Sequence, residues 1–251
     1  GAVDLALIPC PSEYDPKIEM NFVPYMFSDY SQLSKAFGEG SYFLDKYRDV
    51  HAKQGVKLLG MYVEGLIGMG FTDYPENYGD PTINKNMKVR APAIEVYNLV
   101  TEDLGYNAVT IPYSDLYTSM QTGVCDGWIG GTPQLNYSDF KDVIKYYVAY
   151  NCFAENIGFF MSQSVADKMP AEYVKAIEEA FTAASAESFE TAKTLDEEAL
   201  KGLEEYGVEI INLTDAEMAA CVEKIQKETW PKLYKNIGED TLKELVAALE
   251  E

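Results

Sequence analysis

From Pro170 to Tyr206 the sequence keeps a helical pattern with few interruptions and then meets Gly207. Proline suits the first position of a helix, where the amide hydrogen it lacks would have no intrahelical partner. A helix of that length exceeds what one ordinary globular layer uses, so it either bends or runs between two lobes. The segment predicts a hinged, bilobal molecule.

Elsewhere short apolar runs alternate with helical stretches, which predicts an α/β architecture with mostly parallel strand pairing. Residues 3–8 read as a strand closed by Pro9 and Pro11, residues 29–53 as helix, and residues 56–63 as a second strand. Residues 84–90 lead into another strand, and a helix over 92–104 ends at Gly105, a residue suited to the left-handed position after a helix. A strand over 109–112 precedes a short helix that Ser114 is placed to cap and Gly123 to end, and residues 124–129 re-enter the sheet. Residues 208–211 read as a strand, and Thr214-Asp215-Ala216-Glu217 matches a capping box opening a further helix. The expected lobes are discontinuous: 1–67 with 156–195 in the first, 68–155 with 196–251 in the second.

The 41 acidic side chains outnumber the 20 basic ones, giving a net charge of -21. Such a surface repels nucleic acid and anionic headgroups, and no compact basic stripe overrides it. An anionic ligand would therefore need a local cationic receptor, and a buried arginine would supply it. No run approaches the roughly 20 apolar residues that span a bilayer, and residues 1–20 lack the basic head and apolar core of a signal peptide. The four cysteines, Cys10, Cys125, Cys152 and Cys221, lack zinc-ligand spacing and read as small buried hydrophobes; a Cys125–Cys152 bridge requires that their strands be neighbours.

Constellations for catalysis are nearly absent. His51, the single histidine, sits in a helical stretch beside charged residues and reads as a solvated surface group. There is no G-x-S-x-G elbow, no phosphate-binding G-x-x-x-x-G-K-[ST] loop, and Gly65, Gly68 and Gly70 do not follow the dinucleotide-binding order. Asp45 with Asp49 and Glu197 with Glu198 read as solvated helix faces. The expectation is a binding protein, not an enzyme, without metal or cofactor.

The informative stretch begins at Lys88-Val89-Arg90-Ala91-Pro92, which puts a cationic side chain at the end of a strand, where α/β folds gather ligands. Arginine there either holds a carboxylate through two parallel hydrogen bonds, a geometry lysine does not reproduce, or makes a surface ion pair. Downstream come Leu104-Gly105-Tyr106-Asn107-Ala108-Val109-Thr110-Ile111-Pro112-Tyr113-Ser114-Asp115-Leu116-Tyr117 and Met120-Gln121-Thr122-Gly123-Val124-Cys125-Asp126-Gly127. In order and spacing the three elements resemble the binding proteins of TRAP (tripartite, ATP-independent) transporters, and the resemblance extends to Pro24-Tyr25-Met26-Phe27 and, more loosely, through the final helices.

That resemblance implies a periplasmic-binding-protein-like clamshell, periplasmic or tethered outside the membrane, that hands a small organic carboxylate to membrane subunits. It puts Arg90 on the ligand carboxylate and Tyr113 against the ligand body. It turns Glu155 and Asn156 toward the ligand, as against exposed loop residues. Two departures bear on the ligand. Gly130 stands where the family often has an asparagine, and Gly68-Met69-Gly70-Phe71-Thr72 where it often has a second arginine. With Trp128 as an apolar wall, or else a core side chain, these favour a monocarboxylate with an apolar or aromatic body over a C4-dicarboxylate. A ligand sensor of the same fold is the alternative reading. The family also has a strand-helix-strand segment before the equivalent of Gly1, so exposed apolar side chains around residues 3–8, or another segment covering them, are expected.

Overall fold

The computed structural model describes residues 3–10, 12, 14–27 and 29–250; Pro11, expected to help close the first strand, lies outside them. The strands are β1 (Leu5–Ile8), β2 (Val56–Leu66), β3 (Gly68–Phe71), β4 (Lys88–Ala91), β5 (Asn107–Thr110), β6 (Gly127–Gly131), β7 (Tyr146–Val148), β8 (Ala154–Ser162) and β9 (Glu209–Ile211). The helices are α1 (Leu33–Phe37), α2 (Tyr42–Ala52), α3 (Glu95–Asp103), α4 (Tyr113–Gln121), α5 (Pro133–Leu135), α6 (Gln163–Ala166), α7 (Ala171–Tyr206), α8 (Asp215–Glu228), α9 (Trp230–Ile237) and α10 (Glu239–Glu250).

Local chemistry explains most boundaries. The helix expected over 29–53 breaks in two, because Gly40 takes φ +77° and Ser41 then caps α2 by accepting from the Leu44 amide at 3.1 Å. The capping box at Thr214 and Glu217 forms as expected. Ser114 is not a cap: α4 already starts at Tyr113, with Pro112 in the preceding position. After α7, Gly207 adopts φ +108° and its amide reaches the carbonyls of Leu203 and Glu204.

Two sheets carry the two lobes. The first has the order β1-β8-β2 and the second β5-β4-β6-β3-β7-β9. Mostly parallel pairing is not what forms. The first sheet is antiparallel throughout, and in the second β3 runs antiparallel to both β6 and β7, while β4–β5, β4–β6 and β7–β9 are parallel. The cause is the crossing between sheets. β2 leads out of the first sheet into β3, and the chain returns from β7 into β8, so the outgoing and returning strands lie side by side in opposite directions. Pairing continues through the crossing: the Ile67 amide donates to the Phe153 carbonyl at 2.9 Å, and the Cys152 amide to the Ile67 carbonyl at 3.0 Å.

The long helix α7 packs on β2 of the first sheet and on β9 of the second, as its length foretold. Its buried face is Ser185, Ser188, Ala192, Asp196, Ala199 and Leu203, mostly small residues at helical spacing. Small side chains let β2 come close, and β2 answers with glycines: a Cβ on Gly60 would sit 2.5 Å from Ser185 Oγ, and one on Gly65 2.3 Å from Asp196 Oδ2. The pairing of β2 with β8 shifts register between Val63 and Gly65. There the helix satisfies strand amides directly, Val63 N–H donating to Ser188 Oγ at 3.1 Å and Leu66 N–H to Asp196 Oδ2 at 2.9 Å.

Residues 196–251 do not pack as one block on the second lobe. β9 joins the second sheet and α8 packs on α3, whereas α9 packs on the 3-10 turn Pro16–Phe22 and α10 on α1 and α2. His51 corrects the sequence reading: it is 2% exposed, edge-on to Tyr47 at 4.5 Å and 4.7 Å from Phe160. It lies on the inner face of α2, and burial pulls its pKa down to about 4, which keeps the ring neutral. All four cysteines are free; Cys125 and Cys152 belong to different apolar clusters. Around β1, Val3, Leu5, Leu7 and Ile8 are exposed, as expected.

Candidate functional site

Glu155, near the start of β8, meets Tyr97 of α3, the helix that follows β4. Arg90, third residue of β4, is 5% exposed, and its Nε donates to the Ile111 carbonyl at 2.8 Å. That bond aims the guanidinium. It lies 5.8 Å from the Tyr113 ring centroid, and a Cβ built on Gly130 would stand 3.9 Å from Arg90 Nη1, 3.9 Å from Tyr97 Cε1 and 3.8 Å from Pro92 Cδ. Gly130, at φ +118°, thus leaves room beside the arginine. Among the described residues Arg90 makes no ion pair. Burial lowers its pKa, but a guanidinium stays charged.

Tyr113, the first residue of α4, is 47% exposed and donates from its hydroxyl to Asp139 Oδ2 at 2.9 Å. Burial, with Asp139 adding to it, pushes its pKa up to about 12. Trp128 is not a wall of the cleft: at 1% exposure it stands behind Tyr113, edge-on at 6.2 Å, with Nε1 donating to Asn136 Oδ1 at 3.0 Å. Asn136, missed in the sequence, donates from Nδ2 to the Gly131 and Thr132 carbonyls at 3.2 and 2.9 Å and so fixes the turn after β6.

Glu155 and Asn156, neighbours in β8, part company because successive strand residues face opposite sides. Asn156 is fully buried, donating to the Ala154 carbonyl at 3.0 Å and the Asn21 carbonyl at 3.5 Å, while its Oδ1 has no partner. Glu155, half-buried, accepts from the Tyr97 hydroxyl at 3.5 Å. Burial, followed by repulsion from Glu64, raises its pKa to about 8. Glu64 was also missed. It sits in the irregular stretch of β2 between Val63 and Gly65, is half-buried, and acts electrostatically on both Glu155 and Tyr113. Burial raises its own pKa. Tyr97 joins the groups, for its phenol feels Glu155 and, with opposite sign, Arg90. Sequence gave no signal for Tyr97 or Glu64, since an aromatic and an acid are unremarkable in a helix and a strand of this chain.

Arg90 and the carboxyl groups of Glu64 and Glu155, none of which makes an ion pair among the described residues, are thus linked through the rings of Tyr97 and Tyr113. Among the described residues, these charged and phenolic groups are chemically suited to holding a small polar solute. The model of the bacterial extracellular solute-binding proteins, family 7, matches residues 1–236. The chain belongs to this family. Its relatives include the C4-dicarboxylate-binding periplasmic protein DctP of Rhodobacter capsulatus, 25% identical over 257 residues, covering 100% of this chain and 75% of that one. The periplasmic ectoine-binding protein of the TeaABC TRAP transporter of Halomonas elongata superposes with a TM-score of 0.88 at 21% identity, covering 100% of this chain and 83% of that one. A TRAP periplasmic solute-binding protein from Ralstonia eutropha H16 with bound (S)-2-acetolactate gives 0.87 at 19% identity, covering 100% and 80%. The family is one of extracellular solute-binding proteins, and its members include periplasmic binding proteins of TRAP transporters. No helix among the described residues of this family 7 chain is long and apolar enough to cross a membrane.

Proposed function

We propose that the chain captures a small organic monocarboxylate outside the cytoplasmic membrane and delivers it to the membrane subunits of a TRAP transporter. The observation that carries this reading is Arg90: a buried guanidinium held by the Ile111 carbonyl through Nε alone, with no acidic partner among the described residues. Its fork is free for a carboxylate, which accepts two parallel hydrogen bonds. The exposed face of Tyr113 offers an apolar surface for the carbon skeleton, with Trp128 supporting it from behind. Glu155 stands at the far side of the same cleft, and Asn156 acts through the packing of β8. Relatives carry names that specify C4-dicarboxylates, acetolactate and ectoine, so the family leaves the ligand open. Without a second arginine in the β3 segment, a single carboxylate suits the cleft best.

In this scheme the lobes divide near residue 67 and near residue 155, and ligand binding selects the closed arrangement by contacting both. A thermal-shift screen of mono- and dicarboxylates tests the reading, because a ligand that binds the folded state raises the apparent midpoint by mass action. Monocarboxylates should raise it more than C4-dicarboxylates of similar size.

A further inference from the structure

Resting on the assignment of Arg90 to a ligand carboxylate, we infer that the ligand is a zwitterion, whose second pole is a nitrogen cation received by Glu64 and Glu155. The two acids come from neighbouring strands, β2 and β8, at the point where Gly65 pairs with Glu155. They repel each other, and neither makes an ion pair among the described residues. Ionising two partly buried acids in mutual range is costly without a cation, and Glu155 keeps its proton at neutral pH because of it. A purely anionic ligand would pair with Arg90 and leave that cost in place. An ammonium or amidinium group between the acids removes it.

Tyr97 sets the layout of the two poles. Its Cε1 lies beside the Gly130 and Arg90 end of the cleft, and its hydroxyl contacts Glu155 at 3.5 Å. The two poles are thus arranged along one tyrosine ring, which calls for a compact molecule whose carboxylate and cation belong to one small skeleton. Burial and Glu64 raise the Glu155 pKa to about 8, and a cation placed between the acids lets Glu155 give up that proton and pair as a carboxylate.

The test is a thermal-shift and calorimetric comparison of zwitterions with their desamino carboxylates on the same skeleton: pipecolate against cyclohexanecarboxylate, phenylalanine against 3-phenylpropanoate, with ectoine as a cyclic amidine. The tightest zwitterion should bind roughly ten-fold or more tightly than its desamino partner. Glu64→Gln and Glu155→Gln should each erode that preference while leaving the desamino acid as well or better bound. A screen in which no zwitterion raises the midpoint, or in which desamino acids bind equally well, overturns the inference. If Arg90→Lys weakens binding and the two glutamine variants change nothing, the carboxylate reading stands and the zwitterion falls. If Arg90→Lys changes nothing, the reading beneath it falls too.

Discussion

Asp196, in the C-terminal half of the 36-residue helix α7, accepts the backbone amide of Leu66 at 2.9 Å, at the last residue of β2 before the chain leaves the first sheet. The same carboxylate oxygen accepts the Tyr30 hydroxyl at 2.6 Å, and the group is 1% exposed. The long helix is thereby tied to the exit of the first lobe.

Removing that tie should cost stability. Asp196→Ala strands a buried amide and a phenol, and hydrogen bonds to charged groups are worth about 1.5–3 kcal/mol each. A loss of roughly 2–4 kcal/mol in urea unfolding is expected, with a smaller one for Asp196→Asn. Burial raises the Asp196 pKa to about 6, so the native state holds its proton more tightly than the unfolded chain, and this contribution shrinks as pH rises from about 4 through 6.

Arg90→Lys keeps the charge and loses the fork. Ligand affinity should fall about ten-fold or more by calorimetry, with the folded midpoint little changed. Equal affinity would remove Arg90 from the site.

Glu155 predicts a slope on the neutral side. Its pKa, raised from 4.5 to about 8 by burial and Glu64, means that the folded chain binds the extra proton between those values. Its contribution to stability is therefore present at low pH and lost as pH climbs to about 8. Midpoints measured from pH 5 to 8.5 should decline with a component that Glu155→Gln removes.

His51 predicts the opposite slope on the acid side. Burial among Tyr47 and Phe160 depresses its pKa from 6.5 to about 4, so the unfolded chain takes up the proton first and stability falls on acidification through that window. His51→Phe should flatten the acid limb of the stability profile. An unchanged limb would mean the ring is hydrated in solution.

Trp128→Phe tests its supporting role. Losing the indole N–H leaves Asn136 Oδ1 buried and unpaired, a cost of about 1–3 kcal/mol, and ligand affinity should fall less than in Arg90→Lys.

The two-lobed plan was legible because a long helix and punctuated apolar runs are local signals, and the strand end that carries Arg90 was legible because Pro92 closes it. Strand direction was not, since alternating strands and helices look alike whether the chain continues around one sheet or crosses to another. His51 was misread because its charged neighbours in sequence lie on the other face of α2. Trp128 and the pair Glu155 and Asn156 were found as a neighbourhood, but which side chain turns inward depends on strand phase. Glu64 escaped because an irregular register sets it, and that irregularity follows from contact with a helix more than a hundred residues away.

Beside the long helix α7, two of the backbone's crossings between the sheets run as a hydrogen-bonded pair, Ile67 joined to both Phe153 and Cys152. A two-stranded ribbon of this kind is a leaf spring: it flexes across its flat face and resists bending in its own plane or sliding one strand past the other. Sliding one strand past the other, which would carry Glu64 out of step with Glu155, therefore stretches hydrogen bonds of this ribbon. On the proposed reading, the ribbon lets the lobes hinge and keeps the two acids in register with each other.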